Sequence, residues 1–346
     1  MRWSNVCIEA VASVVPDEKL TTTAIELRLA PLYTALRLEP GQIASLTGIH
    51  ERRIWPAHSK MGDCAALAAR QALDQSGIDA DELGAVVYAG VCRDNLEPAT
   101  ACSVADAIGV HPGALVFDIS NACLGVMNGI VELANRIELG QMRAGMVVSA
   151  ESSREIIEST ITRLNADPTP ERYRLGVATM TGGSGAVAVV LTHADISGAE
   201  HRLCAAAAQN AVTHHRICRW GPSHGLLGET ENIMNTDASA VLQHGVELGR
   251  RTWAKLLENT GWRCEDVDRV ICHQVGSSHR REVLAMLGID EAREFSTFES
   301  LGNIGTVSVP LTAARAAEAG FLRSGDRVAL LGIGSGLNCL MLGIQW

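Results

Sequence analysis

Three residues of this 346-residue chain carry the side chains that acyl transfer needs. Cys123 lies in DISNACLGVMNGI (118–130), His273 in VICHQVGSSH (270–279) and Asn303 in ESLGNIGTVSVP (299–310). A thiolate is a covalent nucleophile, an imidazole accepts or donates a proton, and a carboxamide donates to a developing oxyanion. Each also has an ordinary structural role. A free cysteine is usually a small buried hydrophobe, an isolated histidine is usually a satisfied packing residue, and asparagine between glycines is common turn chemistry.

Position adds what residue type does not. ALVFDIS reads as a strand, and LGVMNGIVELANRIELG as a helix with apolar residues three and four apart. This predicts Cys123 in the first helical turn, where partial positive charge and free N–H groups favour a thiolate. Asn121 is the expected capping residue. Gly125 and Gly129 lie four apart, and each costs about 1 kcal/mol against alanine. Close approach of another backbone explains that cost. His273 ends an apolar run, at the strand end where parallel sheets place function. GIGSGLN (332–338) exposes backbone N–H groups.

Elements must hold these residues. LDQSGIDADELGAVVYAG from Leu73 and LENTGWRCEDVDRVICHQ from Leu257 share a pattern at an offset of 184 residues. Each has a helix ending near a glycine (Gly77, Gly261), an acidic turn and a short apolar strand. RAGMVVSAE (143–151) and DRVALLGIG (326–334) correspond as well. Alternating strands and helices predict an α/β fold with mainly parallel sheets. Two related halves follow, over 1–195 and 196–346, facing each other across a pseudo-two-fold. Residues from about 200 to 238 read as an irregular cap over a site. His214, His215, Cys218 and His224 fall there, but their spacing fits no standard zinc pattern, so no metal is expected.

Bulk properties exclude other classes. The net charge is −10 with no basic run, which argues against nucleic-acid binding. Ten cysteines include no C-x-x-C pair. No apolar window reaches the ~20 residues of a membrane span, and the N-terminus lacks a signal-peptide core. A cytoplasmic protein with reduced thiols is expected.

Taken together, DISNACLGVMNG, ICHQ, GNIGTVSVP, GIGSGLN and TGIHERRIW (47–55) resemble the thiolase-fold condensing enzymes of the ketosynthase III type. Within that group the chain resembles the OleA branch, which begins bacterial long-chain olefin synthesis. Glu97, in CRDNLEPATA, lies 26 residues before Cys123, where ordinary ketosynthase III enzymes look apolar. Those enzymes also hold the coenzyme A nucleotide with a tryptophan and an arginine ahead of the TGI segment. Gln42 and Leu46 stand at the matching places here.

The resemblance implies a thiolase fold, with duplicated βαβαβαββ halves in a five-layer α-β-α-β-α sandwich. It implies Cys123 as the acylated nucleophile, with His273 and Asn303 binding the second thioester's carbonyl. The oxyanion would rest on the backbone N–H groups of Cys123 and Ser335. Glu97 would enter the partner subunit of a homodimer as the base. The expected reaction is non-decarboxylative Claisen condensation of two fatty acyl-CoAs to an α-alkyl-β-ketoacyl-CoA. Coenzyme A thioesters are the substrates, no separate cofactor is expected, and later enzymes of a lipid or olefin pathway are the expected partners. The nearest rival is a decarboxylating 3-oxoacyl-ACP synthase III using a malonyl thioester. An acyl thioester hydrolase is the rival of a different class. A non-catalytic subunit would have lost one of Cys123, His273 or Asn303.

Overall fold

The computed structural model describes residues 1–199, 201–223 and 232–346. The strands that carry the site are β1 (Val6–Val14), β2 (Ala85–Ala89), β3 (Leu115–Ile119), β4 (Ala144–Glu151), β5 (Gly185–His193), β6 (His201–Asn210), β7 (Cys218–Pro222), β8 (Asn232–Thr236), β9 (Arg269–Cys272), β10 (Arg327–Gly334) and β11 (Asn338–Gln345). Nine of them join in the order β9-β10-β11-β6-β1-β5-β4-β2-β3, while β7 and β8 form a separate ribbon. The packing helices are α1 (Met61–Ser76), α2 (Thr100–Ile108), α3 (Gly125–Glu138), α4 (Ala238–Thr260), α5 (Ser277–Leu287) and α6 (Ser308–Glu318).

The strand order mirrors itself about the β6–β1 junction, which is only two residue pairs long. β9 pairs with β10 in parallel as β2 does with β4, and the next two pairings inward from each of these, toward the β6–β1 junction, are antiparallel in both halves. A counterpart of β3 survives as one parallel bridge between Val270 and Glu294. The repeat has a local cause. α1 and α4 each end at a left-handed glycine, Gly77 (φ 66°) and Gly261 (φ 74°), followed by a capped 3-10 turn and then β2 or β9. The expectation of mainly parallel sheets is corrected: the sheet is mixed. The reason is visible at β10–β11, where three residues link the strands. Such a link closes a hairpin but cannot make a parallel crossover.

Side-chain alternation builds five layers. Ala85, Val87 and Ala89 of β2 face a core with α3, α6 and inner residues of both half-sheets. Val86 and Tyr88 face the opposite core, under α1 and α2. Ala329 and Leu331 of β10 face a third, under α4 and α5. The order is therefore α1/α2, half-sheet, α3/α6, half-sheet, α4/α5, as the five-layer sandwich requires. Each fully buried Val, Leu or Ile contributes about 1.5–3 kcal/mol.

The expected irregular stretch at about 200–238 also needs correction. HRLCAAAAQN forms β6, next to β1 at the centre of the fold. Its alanines have weak strand propensity, but their small size lets α4 pack closely, and tertiary fit decides. Among the described residues, no helix is long and apolar enough to cross a membrane.

Candidate active site

Cys123 sits in the sharp turn between β3 and α3. Ala122 adopts φ 45°, rare for a residue with a side chain, and Asn121 bridges Cys123. The first residue of α3 is Gly125, so Cys123 precedes the helix by two residues rather than lying in its first turn. Nor does Asn121 cap the helix. Its Nδ2 donates to Asn128 Oδ1 at 2.8 Å, and its Oδ1 accepts from Asn338 Nδ2 at 3.3 Å. The capping group is Thr306, whose Oγ1 accepts from Val126 N at 2.7 Å. A Cβ on Gly125 would stand 3.2 Å from the Ala89 carbonyl oxygen, the close backbone approach that its glycine predicts. At Gly129 the neighbour is a side chain, Val147 Cγ1 at 2.6 Å.

Three further segments converge on this turn. The His273 amide donates to Leu331 O at 2.9 Å, fixing the histidine beside β10 just upstream of Gly334. A Cβ on Gly334 would lie 3.4 Å from Cys123 N, so the GIGSG loop abuts the Cys123 amide. Ser335 Oγ donates to Cys218 Sγ at 3.1 Å. The Asn303 turn reaches the site through Thr306. Its backbone is fastened by Asn303 N to Thr181 O (2.8 Å) and Gly183 N to Asn303 O (2.9 Å). Asn303 Oδ1 accepts from Gly305 N at 3.0 Å, which leaves Nδ2 to donate elsewhere. Buried Arg52 of the TGIHERR motif supports this turn, donating to Met180 O at 2.7 Å beneath Gly302.

Gly302 has φ 68°, and a Cβ there would stand 2.4 Å from Thr181 O. Gly302→Ala is expected to lower stability by about 2–4 kcal/mol, from a left-handed side chain plus overpacking, and to displace Asn303. Denaturant unfolding, with acylation and condensation assayed separately, checks this. Unchanged stability would show that the turn yields freely.

Electrostatics revise the thiolate expectation. Cys123 keeps partial solvent access, but burial, then Cys218 and Glu151, push its thiol up to about 12. The resting Cys123 side chain is therefore a thiol, which would have to lose its proton to act as a nucleophile. Burial, aided by His279, pushes His273 down to about 3, so its ring is neutral, and its Nδ1 has no hydrogen-bond partner among the described residues. A neutral imidazole so hard to protonate is suited to donating a ring N–H hydrogen bond to a carbonyl oxygen rather than to accepting a proton.

Two buried groups escaped sequence reasoning. His279 has both ring nitrogens unpartnered among the described residues. Glu151, at the end of β4, accepts from Val91 N (2.8 Å) and Cys92 N (3.1 Å). Burial lifts its carboxyl to about 7, against the opposing pull of Cys92 and those amides. An acid inside the apolar run RAGMVVSAE was the available signal. Because its folded pKa lies above the ordinary 4.5, its stabilising contribution is complete below that pH and lost as pH rises through about 7. Glu151→Gln is expected to remove roughly 3 kcal/mol of pH-dependent stability across that window. Unfolding midpoints from pH 4.5 to 8 test it, and an unchanged slope would contradict the assignment.

Glu97 stands apart. It is exposed on the segment between β2 and α2, beside Leu96 at 69% exposure. Glu151 holds one end of that segment, Asp94 accepts from Met61 N (2.7 Å) and Gly62 N (2.9 Å), and Asp118 accepts from Thr100 N and Ala101 N at the other end. The tip, residues 95–98, is left facing solvent. In the histidine-rich segment, His214 stacks on His244 at 3.7 Å, and His224 lies outside the described residues.

Comparison with known proteins decides the family. The chain is 51% identical to an acyl-CoA:acyl-CoA alkyltransferase of Shewanella oneidensis, over 100% of both chains. It belongs to the OleA family of thiolase-fold condensing enzymes. A second OleA-type alkyltransferase, from Xanthomonas campestris, is 34% identical over the full length of both chains. Residues 257–346 match the family described as 3-Oxoacyl-[acyl-carrier-protein (ACP)] synthase III C terminal. A crystal structure of Xanthomonas campestris OleA, a cysteine-to-alanine variant, superposes with a TM-score of 0.94, covering 100% of this chain and 98% of that one. Another OleA structure, with bound lauric acid and lauroyl-CoA, gives 0.93 over 99% and 100%. A ketosynthase III of Rhodospirillum rubrum is more distant, at 28% identity over 97% of both chains.

Proposed function

We propose that the protein condenses two fatty acyl-CoAs without decarboxylation, giving an α-alkyl-β-ketoacyl-CoA and free coenzyme A. The observation that carries this reading is the packing of the Gly334–Ser335 loop on the Cys123 amide, in a chain 51% identical to an acyl-CoA:acyl-CoA alkyltransferase.

Cys123 attacks the first thioester as its thiol proton leaves, and that proton ends on the departing coenzyme A sulfur. The tetrahedral oxyanion rests on the N–H groups of Cys123 and Ser335, each donor worth about 3 kcal/mol of barrier. Glu97 then removes the α-proton of the second acyl-CoA, which has no carboxylate to lose. His273 and Asn303 Nδ2 hydrogen-bond the resulting enolate. Its α-carbon attacks the acyl carbon, the C–S bond to Cys123 breaks, and the proton that Glu97 took is returned to the Cys123 thiolate, which restores both groups.

Glu97 acts in the partner subunit of a homodimer. Support comes from its exposure in the single chain and from the free edge of β3, where Leu115 is 43% exposed and Val116, Phe117 and Ile119 are half-buried. Further support is spacing. The glutamate and cysteine substituted in the Xanthomonas campestris OleA structures are also 26 residues apart. The ten free cysteines fit a reducing cytoplasm, and a later enzyme of a lipid or olefin pathway would take the β-ketoacyl thioester. Peptide mass spectrometry after brief exposure to myristoyl-CoA tests the first step. The acyl group is expected on Cys123, and acylation at another cysteine would defeat the assignment.

A further inference from the structure

The reaction steps above make no use of Glu151, a carboxyl only 3% exposed at the end of β4. Burying such a group is costly unless its oxygens find donors. The donors it finds all belong to one segment. Glu151 Oε1 accepts from Val91 N at 2.8 Å and Oε2 from Cys92 N at 3.1 Å. These two amides begin the arm that runs from β2 to α2 and carries Glu97 on its exposed tip.

Other atoms keep that end of the arm near β4. The Cys92 carbonyl accepts from the Tyr88 hydroxyl at 2.6 Å, and Cys92 Sγ donates to Ser152 O at 3.4 Å. Asp118 holds the far end, accepting from Thr100 N at 3.0 Å and Ala101 N at 2.9 Å. Glu97 therefore stands five residues from one anchor and three from the other. Over so short a span, a shift at either anchor reaches the tip.

Glu151 has a second neighbour. A Cβ on Gly305 would lie 3.6 Å from Glu151 Cγ, so the same side chain packs on the Asn303 turn of its own site. Two routes to the chemistry are thus open, one through the arm to Glu97 and one through Gly305 to Asn303. The arm receives two hydrogen bonds, and the turn receives ordinary van der Waals contact. The hydrogen bonds are the stronger tie.

We propose that Glu151 is a positioning residue for Glu97, fixing where the arm leaves β2, so that its effect is felt at α-proton abstraction in whichever site Glu97 serves. The inference rests on the reading of Glu97 as the base, and it assigns the group that aims that base.

Glu151→Gln tests it, because the amide keeps the shape and one acceptor oxygen but turns an NH2 group toward the other backbone amide. The stoichiometric burst of coenzyme A from acylation is expected to survive. Condensation should fall about tenfold to a hundredfold, the cost of misplacing a reacting group by roughly 1 Å. Two further readouts separate aiming from a merely structural role. In a Glu97→Ala background the same substitution should cost nothing more, since an absent base cannot be misplaced. Unfolded and reassembled with Cys123→Ala chains, Glu151→Gln chains should recover about a quarter of wild-type activity. The working site then has an intact cysteine and an arm still held by Glu151 of the other chain.

Unchanged condensation in Glu151→Gln overturns the proposal, and so does a similar further loss in the Glu97→Ala background. A Glu151→Gln mixture that stays inactive while the Glu97→Ala mixture recovers also overturns it, and points to the Gly305 route. The parent reading is judged separately. A Glu97→Ala protein that condenses normally refutes Glu97 as the base. If neither mixture recovers, Glu97 serves its own chain, its placement in the partner falls, and the Glu97→Ala background alone decides Glu151.

Discussion

Cys123→Ala is expected to remove condensation of myristoyl-CoA by about 10⁴-fold or more, while the protein stays folded. The size follows from the role, because without the thiol there is no acyl-enzyme. A lone nucleophile deletion then costs nearly as much as deleting the whole catalytic set. Folding is spared because the turn is held by other atoms: Leu124 N donates to Asn121 O at 2.9 Å, and Thr306 holds the helix start. Rates by coenzyme A release, paired with thermal unfolding, check both halves of the expectation. A variant that condensed at even a tenth of the wild-type rate would remove Cys123 from the mechanism.

Glu97→Ala should separate the two half-reactions. Acylation of Cys123 needs no α-proton abstraction, so the stoichiometric burst of coenzyme A survives. Condensation should fall about 10²–10⁴-fold, the ordinary range for a lost general base. Mixing then locates the base. Cys123→Ala and Glu97→Ala chains, unfolded together and reassembled, give hybrid dimers in which one site has both an intact cysteine and an intact partner glutamate. Random pairing recovers about a quarter of wild-type activity. If Glu97 served its own chain, no site in the mixture would be whole and activity would stay at the level of the variants.

Much of the site is legible because its chemistry is local. DISNAC, ICHQ and GIGSG each place one group at a strand end, GNIGT places one in the turn leading into α6, and the five-layer fold brings these segments together. The repeat was visible for the same reason: a left-handed glycine and an acidic turn are short-range signals. What escaped was tertiary. Asn121 looked like a cap, yet the capping oxygen comes from Thr306, 180 residues away. Cys123 looked electrostatically activated by its helix, but burial outweighs that field. β6 hid in an alanine run whose strand character comes from its neighbours. Glu151 hid at the end of an apolar strand, and its significance lies in the Val91 and Cys92 amides it holds.

The central claim is condensation without decarboxylation, and one measurement addresses it most directly. Wild-type protein is incubated with myristoyl-CoA as sole substrate, and the products are read by mass spectrometry. The prediction is a doubled-chain β-ketoacyl-CoA with one coenzyme A released per condensation, or the ketone left after its hydrolysis and decarboxylation, with two released. Free myristic acid alone, with doubled product appearing only when a malonyl thioester is added, would contradict it and leave Glu97 without its role.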